Sequence, residues 1–486
     1  MSLLDPSIWT SSVHSGGWIP SSGGDVAVRE PATGDELGRV GLADATDVAN
    51  AGAAAAKAQL EWARTPFEER AAVLRRAGLL FERYAAEIEE WIVRETGAIP
   101  PKAQLETHIA AGECFEASAL PSHSLGDILP SPTGRLSLAR RVPVGVVGVI
   151  SPFNFPLILS IRSVAPALAL GNAVVLKPDL RTPISGGFCI ARVFEEAGLP
   201  PGVLHVLPGG ADAGEALVAD PHTRVISFTG STAAGRRVGE AAGRHLKRAH
   251  LELGGNNALI VLDDADLDRA LSAAAFGSFM HQGQICMTTG RHLVHASIAD
   301  EYVSRLAEKA AALPVGNPAT SQVALGPLID EGQRDRVHAL VEASVAAGAR
   351  LAAGGTYEGL FYRPTVLDDV TPEMPAYAEE VFGPVAPVAR FSTLDEAAEL
   401  ATATSYGLSL GILTSDVLAG MELAERIPSG IVHINDQTVG DEAHAPFGGV
   451  KDSGTGSRFG GAAANIEAFT EGQWITLQRE ITQYPF

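Results

Sequence analysis

Short β-branched runs alternate with helical patterns from residue 144 to residue 242, and this rhythm leaves the chain few architectures. Strands are predicted at 144–150, 173–177, 204–206 and 225–228, with helices at 158–169, 184–197, 213–219 and 232–242. Repeated strand-helix-strand units build a mostly parallel, doubly wound α/β sheet. Sheets of that kind bind ligands beyond the carboxyl ends of their strands, at a switch point. A second α/β region extends over 254–435, with apolar strands at 258–261 and 411–414 and helices at 267–280, 300–312, 331–347 and 394–402. The Gly254-Gly255 boundary sets Glu252 at the cleft between the two regions, where ligand sites are commonest.

The flanks are simpler. Val48, Ala51, Ala55 and Ala58 give one helix an apolar face, and Val73, Leu74, Leu79, Leu80, Ile88 and Ile92 do the same for a single helix over 68–97. Ile99-Pro100-Pro101 interrupts that pattern before a third helix at 103–119. Residues ahead of Ala45 are rich in Gly, Ser and Pro and read as an extended arm with short strands. Residues 130–141 alternate loosely, as a surface hairpin does, and Trp474 stands in a strand at 473–477. An exposed edge with a large aromatic needs a partner.

At 486 residues the chain exceeds one ordinary core and requires two or three domains. A net charge of -21 argues against nucleic acid as a partner, because phosphates repel such a surface. Met1-Ser2-Leu3-Leu4-Asp5-Pro6 has no basic stretch and no long apolar run, so no signal peptide is expected. The least charged stretch, 142–159, is broken by Pro143, Pro152 and Pro156 and reads as buried strand and turn, not as a membrane span. The 3 cysteines, Cys114, Cys189 and Cys286, are far apart and fit a reducing, cytoplasmic compartment better than a disulfide framework. No Cys/His group has metal-ligand spacing, so no metal is expected. Cys114 and Cys189 lie in helical patterns among Ala, Phe and Ile, where burial is the expectation.

Cys286 is different. It stands in Gly283-Gln284-Ile285-Cys286-Met287-Thr288-Thr289-Gly290-Arg291, between a helical run and a β-like segment, where local amides would lower a thiol's pKa toward the reactive thiolate. Glu252 in Leu251-Glu252-Leu253-Gly254-Gly255 could add a base, and Asn154 in Ser151-Pro152-Phe153-Asn154-Phe155-Pro156 an oxyanion donor. Gly230-Ser231-Thr232-Ala233-Ala234-Gly235 follows a strand and opens a helix, whose free amides and dipole suit a pyrophosphate. Ser231 could equally serve as the helix cap.

In this order, Phe153-Asn154-Phe155-Pro156, Phe228-Thr229-Gly230-Ser231, Glu252-Leu253-Gly254-Gly255, Gly283-Gln284-Ile285-Cys286, Glu380-Val381-Phe382-Gly383-Pro384 and Pro446-Phe447-Gly448-Gly449 resemble the motifs of NAD(P)-dependent aldehyde dehydrogenases. They span most of the chain. Residues 157–166 and 286–291 look most like the benzaldehyde and vanillin dehydrogenase branch.

The resemblance implies an aldehyde-dehydrogenase-like fold: a Rossmann-type dinucleotide-binding domain over 1–122 and 143–253, an α/β catalytic domain over 254–435, and a substrate-entrance loop with return segment over 436–461. A β oligomerisation arm from 123–142 and 462–486 would make a homodimer or homotetramer. It implies Cys286 as the nucleophile of a thiohemiacetal, whose oxyanion the Asn154 amide and the Cys286 N–H would stabilise. Glu252 would activate the water that hydrolyses the thioester, a role that favours the free acid over transfer to coenzyme A. Cofactor contacts are implied for Pro152, Phe153, Lys177, Asp179, Gly210, Gly230, Ser231, Gly235 and Leu253, with Glu380 on the nicotinamide ribose and Phe382 on the ring. Phe155, Arg162, Met280, Ile285, Met287 and Phe447 would line the substrate tunnel, and the loop 436–444 would shape its mouth.

Two positions depart from the family pattern. Many NAD-preferring relatives carry a glutamate three positions after the lysine that Lys177 matches, and here that position is Leu180, between Asp179 and Arg181. Lys177 and Arg181 could tolerate a ribose 2′-phosphate and Asp179 would oppose it, so NAD is expected to be favoured only modestly over NADP. Arg162 occupies a place where many members have an aromatic; it reads as a helix salt bridge or as a contact to a substituent on the substrate's ring. The implied substrate is an aromatic aldehyde. A semialdehyde or an aliphatic aldehyde is the alternative, and a non-catalytic use of the fold is opposed by the intact Cys286, Glu252 and Asn154.

Overall fold

The computed structural model describes residues 2–486. Its first sheet runs Arg248–Glu252, Thr223–Thr229, Val146–Ile150, Ala173–Lys177, Leu204–Val206, Ser12–Ser15, Trp18–Pro20. The first five strands are parallel, and the last two join antiparallel. Val146–Ile150 is buried at every position, as expected of a strand covered on both faces. The strand order reverses between Val146–Ile150 and Thr223–Thr229, and their carboxyl ends open the cleft described below. The second sheet runs Arg350–Ala353, Thr365–Asp368, Val385–Phe391, Thr289–His295, Asn257–Val261, Ser409–Leu413, Ile431–Ile434, parallel throughout except at Arg350–Ala353. A third sheet pairs Thr470–Leu477 with Leu136–Pro143, and Leu136–Pro143 with Gly126–Leu129. Trp474 lies opposite Ala139 in it.

Several sequence expectations are corrected. The N-terminal segment has the short strands expected of it, and two of them, Ser12–Ser15 and Trp18–Pro20, extend the first sheet rather than standing apart as an arm. The single helix over 68–97 is two, Phe67–Arg83 and Ala85–Thr96, divided at Tyr84 (φ -101, ψ 15). Leu79 faces outward, 54% exposed, while Val73, Leu74 and Ile88 are buried. Gly97 ends the second helix in the left-handed conformation (φ 68), a conformation glycine adopts without steric cost. Helix Ala462–Phe469 belongs to the core of the first sheet, with Phe469 wholly buried, and strand Thr470–Leu477 follows it. Strands Arg248–Glu252, Thr365–Asp368, Val385–Phe391 and Ile431–Ile434 were not foreseen. Among the described residues no helix is long and apolar enough to cross a membrane.

Candidate active site

The cleft at the switch point has two connected halves. The distal half, about 700 Å³, lies between helices Ala211–Ala219 and Thr232–Arg244 and is lined by Lys177, Asp179, Leu180, Gly210 and Phe228. The proximal half, about 590 Å³, reaches Cys286 and is lined by Pro152, Phe153, Gly230, Ser231, Leu253, Glu380 and Phe382. Ser231 caps its helix by accepting from Ala234 N at 3.4 Å, so capping and cleft lining coexist in one residue. The amides of Thr232 and Ala233 have no acceptor within their own helix and belong to the same wall, which suits an anionic diphosphate. Gly235 packs beneath Leu253, where an added Cβ would lie 2.2 Å from a leucine methyl, and it lines neither half.

Charges in the cleft also differ from the sequence reading. Arg181 grips both oxygens of Asp179 at 2.8 Å, donates to Asp330 at 2.7 Å, and lies over the Phe153 ring. Arg181 and Asp179 therefore spend their charge on each other. Lys177 donates to two carbonyls, Gly209 at 2.7 Å and Pro178 at 3.2 Å, and Leu180 lines the distal half without any carboxylate of its own. Glu380 accepts from the Gly255 amide at 2.9 Å, and burial pushes its carboxyl up to about 7. A Cβ at Gly254 would lie 2.3 Å from Glu380, and one at Gly255 would lie 2.3 Å from the Cys286 carbonyl. Both glycines thus have a steric reason in the motif.

Cys286 follows a sharp reversal. Helix Leu267–Phe279 ends, and His281 (φ 48), Gln282 (φ 57) and Gly283 (φ 65) are all left-handed. Such a turn is costly for the two non-glycine residues, roughly 1–3 kcal/mol each, and persists only when its surroundings hold it. Gln282 does so by donating to Gly97 O at 3.1 Å and Pro327 O at 2.8 Å. Asn257 then ties the loop, donating to the carbonyls of Cys286 and Thr288, both at 2.8 Å. Neither Gln282 nor Asn257 was singled out in the sequence.

Beyond Cys286 lies a separate apolar cavity of about 70 Å³. All six expected residues, Phe155, Arg162, Met280, Ile285, Met287 and Phe447, line it together with Asn154. Helix Pro100–Ala119 adds Leu105 and Ile109, and the loop 436–444 adds Val439 and Asp441. Arg162 is buried, ion-paired with Asp441 and seated 4.4 Å from the Phe447 ring centre. Its salt bridge is to the loop and not to its own helix. Its Nε and Nη1 are buried with no hydrogen-bond partner. Asp441 carried no signal in the sequence, since it sits in a loop read only as an entrance.

The Asn154 amide lines both the cavity and the cleft and donates to Gln284 O at 2.9 Å. An amide has two N–H groups, so one remains for an oxyanion. Glu252 is buried and lines neither space, and the Gly449 amide approaches its carboxylate without closing a well-formed hydrogen bond. Burial pushes it up to about 8 against the pull of Arg162 and Arg458. Cys286 is only partly exposed, and burial, then the Glu380 carboxylate, push its thiol up to about 12, with Arg162 opposing, where the sequence suggested a lowered value. Cys114 and Cys189 are buried as expected, their thiols also held up by burial.

A cysteine stands where a dinucleotide-sized cleft and an apolar tunnel adjoin, an arrangement that suits an oxidoreductase. Residues 18–475 match the model of the aldehyde dehydrogenase family, and the chain belongs to that family. It is 70% identical to a vanillin dehydrogenase of Amycolatopsis sp. over 486 residues, covering 100% of both chains. It is 53% identical to the benzaldehyde dehydrogenase [NAD(+)] of Pseudomonas putida, covering 99% of this chain and 98% of that one. Among solved structures, a salicylaldehyde dehydrogenase from Pseudomonas putida G7 complexed with salicylaldehyde aligns with a TM-score of 0.94 at 37% identity, over 98% of this chain and 99% of that one.

Proposed function

We propose that this enzyme oxidises an aromatic aldehyde of the benzaldehyde or vanillin type to its carboxylic acid with NAD(P)+, in the cytoplasm. The observation that carries the reading is the apolar cavity ending at Cys286, walled by Phe155, Phe447 and two adaptable methionines. The Cys286 thiol gives its proton to water in the cleft as its sulfur attacks the aldehyde carbon, and the second N–H of Asn154, with the Cys286 amide, meets the oxyanion where charge develops. The cofactor, held by the cleft, supplies the hydride acceptor; Glu380 and Phe382 would hold its nicotinamide end and Lys177 its adenosine ribose. Glu252 takes a proton from water to release the acid from the Cys286 thioester. The cleft holds no free acceptor at Leu180 for a ribose 2′-OH, so NAD is favoured only modestly.

Burying a phenyl group instead of a short alkyl chain contributes about 2 kcal/mol at roughly 25 cal/mol per Å². If that preference reaches the transition state, it amounts to about thirtyfold in kcat/KM. A panel of aldehydes tests it by NADH absorbance. Benzaldehyde, vanillin and 4-hydroxybenzaldehyde are expected to exceed acetaldehyde and propanal by that order. A preference for succinic semialdehyde would overturn the aromatic reading.

A further inference from the structure

Helix Pro100–Ala119 carries an ion pair, Lys102 and Glu106, with both side chains wholly buried. Neither touches the cleft or the tunnel, though Leu105 and Ile109 of the same helix do. Lys102 Nζ donates to the backbone carbonyl of Asn154 at 2.7 Å and lies 4.3 Å from the Phe155 ring centre. Glu106 accepts from the amides of Leu157 at 3.1 Å and Ile158 at 3.4 Å, the first turn of helix Pro156–Ala169. One pair therefore grips the Asn154 segment at its carbonyl and just beyond it. On the far side, the Asn154 side chain is tied to Gln284 O, and Gln284 Oε1 in turn accepts from Ile329 N at 3.0 Å.

A buried ion pair is a poor source of stability, because desolvation offsets its attraction and apolar replacements are often as stable. Its geometry is informative instead. Both partners spend their remaining hydrogen bonds on the loop that presents the Asn154 amide beside Cys286. We propose that Lys102 and Glu106 are positioning residues that clamp residues 154–158 and so aim the Asn154 amide at the developing oxyanion. This rests on the reading of Asn154 as the oxyanion donor.

The test is a cycle between Lys102→Met and Asn154→Ala, read as the single-turnover rate of NADH formation. Asn154→Ala is expected to lower that rate about 10²- to 10³-fold, the usual effect of removing an oxyanion donor. Lys102→Met is expected to lower it by about tenfold, with the KM for aldehyde and the affinity for NAD+ within about twofold of wild type, because only the transition state uses the aimed amide. In the Asn154→Ala background, Lys102→Met should change the rate by less than about twofold, since residues acting through one group are not additive. Equal losses in both backgrounds, or no loss in either, would overturn the clamp while leaving Asn154 as the donor. A small effect of Asn154→Ala itself would overturn the oxyanion assignment and the clamp with it. If Lys102→Met does not fold, the double variant Lys102→Met/Glu106→Gln, which buries no unpaired charge, is read the same way. A double variant that also fails to fold would make the pair a stability element and overturn the proposal.

Discussion

Glu252 and Cys286 both lose water on folding, and both are pushed toward their neutral forms, to about 8 and about 12. Arg162 opposes the shift in each, while Asp441 reinforces it, so the Arg162–Asp441 pair stands between the two reacting groups electrostatically. A base must be ionised to act. Glu252 is raised above the usual carboxylate range, so its active form accumulates only as pH rises through about 8. The deacylation rate is therefore expected to increase across that range and to level above it, as measured by steady-state kcat against pH. A profile flat from pH 6 to 9 would place the thioester's fate elsewhere.

At the scale of elements, the tunnel joins one helix, Pro156–Ala169, to the loop 436–444 through Arg162 and Asp441. The unpartnered Nε and Nη1 of Arg162 are donors awaiting an acceptor, and a hydroxyl or methoxy group on a ring could supply it. Arg162→Leu is expected to lower kcat/KM for vanillin about tenfold more than for benzaldehyde, because a hydrogen bond to a charged group contributes roughly 1.5–3 kcal/mol. It should also move the pH profile to the alkaline side, since a cation that favours ionised Glu252 is lost. Equal losses for both substrates would make Arg162 purely structural.

The same elements show what a sequence can reveal. Helices and buried parallel strands near Cys286 and Glu252 were legible because hydrophobic period and β-branching are local signals. Strand Arg248–Glu252 was not, since Arg248 and His250 interrupt its apolar run. Tyr84 breaks a helix without Gly or Pro, so the division left no mark in the pattern. Residues inside motifs, such as Asn154, Ser231, Cys286 and Glu380, stand in the walls of the cleft or the tunnel. Those acting from a distance were not legible: Lys102, Glu106, Gln282 and Asp441 matter through tertiary contacts that spacing cannot express.

At the scale of the whole molecule, one feature lies outside the chemistry and one at its centre. The three-stranded sheet leaves Ile128 at 77%, Trp474 at 66% and Leu477 at 53% exposed, a costly surface for a lone chain. If the sheet is an arm between copies, Trp474→Arg should shift the assembly toward monomer in analytical ultracentrifugation, and an unchanged mass would exclude that edge. The other feature is convergence: the cleft and the tunnel share Cys286, Asn154 and Leu159 in their walls, and Glu252 acts on the Cys286 thiol electrostatically. Rapid mixing of Glu252→Gln with benzaldehyde and NAD+ tests that convergence most directly. The expected result is a burst of NADH close to one per active site, then a stall, with intact mass spectrometry placing a benzoyl group on Cys286. An unchanged steady state, or a burst without that adduct, would contradict the account.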